Sequence, residues 1–206
     1  MAYDNTQRSL AAATTRAQVL AAAHQLFVDE GFAGTTIRTV ADAAGVSQET
    51  IYKSFGSKAA LLKAVYDVAL AGDADDVPLA ARPEALAVLQ AATPQASAHA
   101  YAELARIVSV RTDPLLRVLL RSRGSDQALE AFATTTDGER LTGARPFVGH
   151  WHTQQWLPDH VTVARAAEMV WALNSPEPRW LLLDHGWTQS DYTRWLADTI
   201  HTTVLA

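Results

Sequence analysis

Ser47, Gln48, Glu49, Thr50, Tyr52 and Lys53 crowd hydroxyls, a carboxamide, a carboxylate and one ammonium into seven consecutive positions, interrupted only by Ile51. On a short helix Ile51 turns inward. The others then form a face of donors, acceptors and a single cation, which suits the base edges and phosphates of a nucleic acid. A second group, His150, Trp151 and His152 with Asp159 and His160 nearby, holds the residue types of a metal site or an acid–base pair. Its spacing argues against that chemistry, because residues i and i+2 on a helix point about 200° apart and cannot share a metal unless the helix breaks there. HExxH, GxSxG, a Gly-rich phosphate loop and a paired-carboxylate catalytic motif are all absent from the sequence, as is cysteine, so no catalytic residue and no metal ligand is assigned.

The elements that must position the first group can be read from punctuation. Thr36 is placed to cap a helix whose Ile37, Val40, Ala41 and Ala44 share a face, and Gly45 stands where the chain must turn. Small Ala41 lets a second helix approach, with Val46 and Ile51 filling the wedge. Ser47 caps that helix, about Gln48 to Phe55, with Glu49 near its positive end. Ser57 caps the next. The stretch TIRTVADAAGVSQETIYKSFGSK, residues 36–58, therefore reads as a helix-turn-helix followed at once by another helix.

The rest of the 206 residues carries a 3.6-residue apolar period without two-residue alternation, so the expected fold is all-α. Thr15 with Gln18 reads as a capping box for the first helix, whose Val19, Leu20, Ala23, Leu26 and Phe27 form a buried stripe ending at Gly31. AGDADDVPLAARPE, Ala71 to Glu84, reads as the boundary between domain 1–70 and domain 71–206. Beyond it, helices are expected over 83–91, 95–111 and 114–134, the last opened by Asp113 and Pro114. A capping box of Thr136 and Glu139 then starts a helix with a kink or break at Pro146, and further helices follow over 161–174, after Ser175 and Pro176, and over 189–204.

Charge limits the partner. Residues 1–60 hold five basic side chains (Arg8, Arg16, Arg38, Lys53, Lys58) and five acidic ones (Asp4, Asp29, Glu30, Asp42, Glu49), so the net charge of −5 belongs to the remainder. An acidic body with a neutral end argues for a specific local contact with nucleic acid, not for broad coating. The opening MAYDNTQRSL lacks a basic start followed by an apolar run, and no stretch approaches the roughly 20 apolar residues of a membrane span; a soluble cytoplasmic protein is expected.

The segment RAQVLAAAHQLFVDEGFAGTTIRTVADAAGVSQETIYKSFGSKAALLKAV, Arg16 to Val65, resembles the N-terminal domain of the tetracycline-repressor-like (TetR) family of transcriptional regulators. The order is specific: LFVDEGF, then TTIRTVADAAGVSQETIY, then FGSKAALL. WALNSPEPRWLLLDHGWTQSDYTRWLADTI, Trp171 to Ile200, also looks like the C-terminal region of some members. The resemblance implies a helix-turn-helix domain followed by a larger helical domain for ligand binding and dimerisation. It implies DNA contacts from Thr36, Ser47, Gln48, Thr50, Tyr52, Lys53 and Lys58, and an effector pocket for which Tyr101, Phe147, Trp151 and Trp171 are the candidates, suited to an apolar or aromatic small molecule. It also implies a homodimer pairing the C-terminal helices through Val170, Tyr192, Trp195, Leu196, Thr199 and Ile200. The expected function is a homodimeric, ligand-responsive repressor on a palindromic operator, with no cofactor. The rival is an enzyme or carrier that keeps a helix-turn-helix and uses the His150–His160 region for metal or acid–base chemistry.

Overall fold

The computed structural model describes residues 2–72 and 78–205, and all of its regular elements are helical. In chain order they are α1 (Ala2–Gly34), α2 (Ile37–Ala44), α3 (Gln48–Phe55), α4 (Lys58–Ala71), a short 3₁₀ turn (Leu79–Ala81), α5 (Pro83–Gln90), α6 (Pro94–Ser122), α7 (Gln127–Thr153), α8 (Val163–Leu173), α9 (Pro176–Asp184) and α10 (Gln189–Thr203). Packing divides them into two units, Met1–Asp73 with Thr112–Ala133, and Ala74–Arg111 with Thr134–Ala206. This differs from a division at residue 70: Tyr66 of α4 meets Phe132 of α7 edge to face at 5.6 Å, and Leu115, Leu119 and Leu129 are buried with the N-terminal helices' own unit. The centre of the expected boundary, residues 73–77, lies outside the described residues.

In the first unit, Val19, Ala23 and Phe27 recur at helical spacing along α1 and are buried, as are Val40 and Ala41 of α2, Ile51 of α3, and Leu61, Leu62 and Val65 of α4. The helical path of α1 breaks at Gly31, with φ 71° and ψ 178°, a backbone state open to glycine. In the second unit one cluster joins Val88, Tyr101, Phe147, Val148, Trp151, Val170, Tyr192, Leu196 and Ile200.

Three expected helix starts are corrected. Thr15 lies inside α1 and not at its beginning: the alanine-rich stretch before it continues the helix, and neighbouring Thr14 turns its hydroxyl back to the Leu10 carbonyl at 3.0 Å. Pro114 lies inside α6, so the separate helices expected over 95–111 and 114–134 are replaced by one running to Ser122. Its missing N–H removes the i→i−4 donor to the Val110 carbonyl, which is tolerated where Val110 is exposed to solvent. Thr136, expected to open a helix, is a buried interior residue of α7, whose start is set by Asp126, accepting the Ala128 amide at 2.7 Å. Pro146 likewise sits within α7, four residues after exposed Thr142.

α7 ends in a turn through Gln155, which has φ 60°, the one non-glycine residue with positive φ among the described residues. The Trp156 amide returns to the Trp151 carbonyl at 2.9 Å and the Gln155 amide to His152 at 3.0 Å. A side chain is strained in this conformation. Gln155→Gly is expected to stabilise the protein by about 0.5–1 kcal/mol, read by chemical denaturation; a loss of stability would show that the glutamine side chain contributes more than the strain removes.

Candidate nucleic-acid interface

The turn between α2 and α3 is built from caps. Thr36 Oγ1 accepts the Thr39 amide at 3.0 Å, and Thr39 Oγ1 accepts the Thr36 amide at 3.1 Å, a reciprocal box closed by a threonine where Glu or Gln is usual. Gly45, at φ 66°, ends α2, and the Val46 amide bonds the Ala41 carbonyl at 3.0 Å. Ser47 Oγ accepts the Thr50 amide at 3.1 Å and lies 2.9 Å from Thr50 Oγ1. Two adjacent helices are thus oriented by side chains within three residues of each turn, and α3 is anchored by fully buried Ile51.

With Ile51 inward, Gln48, Glu49, Tyr52 and Lys53 are exposed on α3, Tyr52 by 51 %, while Thr50 is half-buried and bonded to Ser47. Ser47 and Thr50 hold the helix start, with their hydroxyls facing each other. At the start of α2, exposed Thr36 stands beside the first-turn amides of Ile37 and Arg38, which precede the first intrahelical acceptor and are open to an anion. Arg38 is a cation the sequence reading left out. It is highly exposed and 3.9 Å from Asp42, and it is the only basic residue besides Lys53 between positions 36 and 53, which is the signal that could have found it.

Lys58 departs from expectation. Its Nζ donates to the Phe32 carbonyl at 2.6 Å and the Thr35 carbonyl at 2.9 Å, and lies 4.1 Å from the centre of the Phe32 ring. Burial lowers its pKa, opposed by the charge of Asp126. Two of its three donors are therefore committed inside the protein.

Residues 19–65 match the model of the family described as bacterial regulatory proteins, tetR family. This segment is similar to the DNA-binding part of the tetR family. Over 53 residues it is 43 % identical to the HTH-type transcriptional regulator TtgR of Pseudomonas putida and, by the same figures, to the probable HTH-type transcriptional regulator ArpR of the same species. These matches cover 26 % of the chain and 25 % of each relative, so the chain is matched to only a quarter of those relatives' length. In fold the likeness is longer. NalD, the secondary repressor of the MexAB-OprM multidrug efflux pump in Pseudomonas aeruginosa, superposes with a TM-score of 0.69 over 94 % of this chain and 98 % of its own, at 16 % identity. The fatty acid degradation regulator FadR from Bacillus halodurans gives a TM-score of 0.71 over 92 % and 95 %, at 15 % identity.

Outside this segment, the remaining candidates lie on the helices that follow α4. Tyr101, Phe147 and Trp151 are buried against one another, with ring centres 5.4 and 5.8 Å apart from Tyr101, both edge to face. Trp151 Nε1 donates to Ser97 Oγ at 2.7 Å, and Ser97 Oγ donates to the Val88 carbonyl at 2.8 Å. Burial pushes the Tyr101 hydroxyl pKa up to about 12. Trp171 is half-buried and donates to Asp137 at 3.2 Å, while Arg140 bonds the Trp171 and Asn174 carbonyls at the end of α8.

Of the expected dimer residues, Val170, Tyr192, Leu196 and Ile200 are buried within the single chain and pack in its own core. Tyr192, Leu196 and Ile200 recur every four residues on the inward side of α10, and the Tyr192 hydroxyl donates to the Leu173 carbonyl at 3.0 Å. Trp195 and Thr199 are half-buried. What faces outward is Leu181, 61 % exposed, and Trp187, which meets Trp195 edge to face at 6.4 Å beside an open cleft of about 420 Å³ containing Asp191, Arg194 and Asp198. The histidines do not converge: His150 packs edge-on against Trp156 at 5.8 Å, His152 and His160 are exposed, and no group of three or more His, Cys, Asp or Glu among the described residues could hold a metal ion. Among the described residues, no helix is long and apolar enough to cross a membrane.

Proposed function

We propose that this chain is a DNA-binding transcriptional repressor that acts in the cytoplasm as a homodimer. The observation that carries the reading is the outward face of α3, where Gln48, Tyr52 and Lys53 stand exposed on a capped helix-turn-helix inside the segment matched to the tetR family. Gln48 is suited to a base edge, Lys53 and Arg38 to phosphates, and the start of α2 at Thr36 to a further phosphate. Tyr52 offers a ring and a hydroxyl to the same groove, while Ser47 and Thr50 hold the helix start in position. Two copies would set their α3 helices in successive major grooves of a palindromic operator, about 34–36 Å apart. The repressor role follows the description of NalD as a repressor. Domain 1–70 would read DNA, and 71–206 would sense and dimerise.

An apolar or aromatic small molecule is the proposed effector, and its release of DNA is a population shift toward a state that fits the operator poorly. With Tyr101, Phe147 and Trp151 in mutual contact, such a ligand would have to part that cluster to enter it. Selection of bound sequences from a random duplex pool tests the DNA reading: a recovered palindrome with half-sites about one turn apart supports it, and no enrichment over input refutes it.

The second copy is expected to cover the outward face near Leu181 and Trp187. Leu181→Glu combined with Trp187→Glu should leave helix content nearly unchanged, since neither side chain belongs to the buried core, yet shift the protein to monomer in sedimentation at micromolar concentration, with melting lowered by the lost Trp187–Trp195 contact and the lost partner. A double variant that stays fully dimeric removes this face from the interface.

A further inference from the structure

Lys58 is the first residue of α4, where the partial positive charge of a helix start disfavours a cation. It is nevertheless turned away from solvent. Its ammonium goes to the corner between α1 and α2, where the chain, having broken its helical path at Gly31, presents the Phe32 and Thr35 carbonyls without donors of their own helix. Thr35 is fully buried and its hydroxyl donates to the Gly31 carbonyl at 2.8 Å, so this corner is fixed from both sides. The ring of Phe32, stacked on Phe27 at 6.1 Å, covers the ammonium. The next residue after these acceptors is Thr36, the cap that starts α2.

We propose that Lys58 is a positioning residue of the DNA reader: by clamping the Phe32 and Thr35 carbonyls to the first turn of α4, it sets where α2 begins, and its charge is not used on a phosphate. The proposal rests on the DNA-binding reading above for its consequence, but the clamp itself can be tested without DNA. In the unbound protein two of the three N–H donors and the ring face are already engaged, so a phosphate would have to compete with the Phe32 and Thr35 carbonyls for this ammonium. Losing the clamp loosens the start of α2, which weakens every DNA contact together and releases no fewer counterions per contact.

Lys53, Lys58 and Lys63 are the only lysines, so their side-chain proton signals in the free protein can be assigned with Lys58→Met. The ε-methylene protons of Lys58 are expected well upfield of those of exposed Lys53, from the Phe32 ring current, and to move back in Phe32→Leu; Lys63, 5.8 Å from the centre of the Phe132 ring, is expected to shift less. Lys58 protons at the same position as those of exposed Lys53 would overturn the clamp. In Lys58→Met, amide exchange at Ile37–Val40 should rise while that of Val19–Phe27 stays slow. Affinity for the duplex selected by the wild type should fall by the same factor at every salt concentration. If Lys58→Met instead shallows the salt slope by about 0.9 per copy, with α2 exchange unchanged, Lys58 is a phosphate contact and the proposal fails. Should the free-protein signature hold while no duplex is bound by the wild type, the DNA reading fails and the clamp stands.

Discussion

Leu196→Glu is expected to unfold the protein or to lower its melting temperature by about 10–20 °C, not to produce well-folded monomers. Leu196 is completely buried in the single chain, in the cluster that joins α10 to α8 and to Trp151 of α7. The substitution removes a leucine's apolar burial and puts a carboxylate into an apolar cluster, a combination that costs about 4–5 kcal/mol. Against a total stability of about 5–15 kcal/mol that is about a third or more of what holds a domain folded. Circular dichroism with thermal melting reads the outcome. A variant with wild-type melting that only dissociates would place Leu196 on the surface and overturn the assignment of α10's inward face.

Gln48→Ala is expected to act on sequence preference. Gln48 is exposed at the first position of α3, and Ser47, not Gln48, supplies the cap that holds the helix, so its loss leaves the fold intact. If its carboxamide bonds a base edge, removal costs about 1–3 kcal/mol per contact on the preferred duplex and relaxes discrimination at one position in each half-site. Affinities for the selected duplex and its single-base variants decide this. Unchanged preference at every position would show that Gln48 does not read sequence.

The helix-turn-helix was legible in the sequence because its geometry is made locally: Thr36, Gly45 and Ser47 act on residues no more than four positions away, and the small Ala41 and the wedge residue Ile51 are buried as their spacing required. Capping patterns misled where the chain before them was also helical. Thr15 with Gln18, and Thr136 with Glu139, have the side chains of a capping box, but such a box operates only where the backbone enters a helix, and alanine-rich or buried flanks carry α1 and α7 straight through. Periodicity on α10 identified a buried face but could not say whether its cover is the same chain or a second copy; Tyr192, Leu196 and Ile200 face their own core. The aromatic candidates Tyr101, Phe147 and Trp151 share this ambiguity, since a ring that lines a pocket and a ring that fills a core have the same spacing. Lys58 was illegible for another reason. Its acceptors lie 26 and 23 residues earlier, and a lysine after a serine cap reads as a solvent-facing charge.

The central claim, that the outward face of α3 contacts DNA, is tested most directly by the salt dependence of binding to the selected duplex for the wild type and Lys53→Ala, with folding checked by circular dichroism. Lys53 is exposed on α3, and the neutral charge of residues 1–60 leaves few cations to share the affinity, so each one should register. Removing it from both copies should weaken binding to all sequences and shallow the slope of log affinity against log salt by about 1.8, from about 0.9 for each lost phosphate contact. A correctly folded Lys53→Ala protein with wild-type affinity and wild-type salt slope would contradict DNA contact by this face.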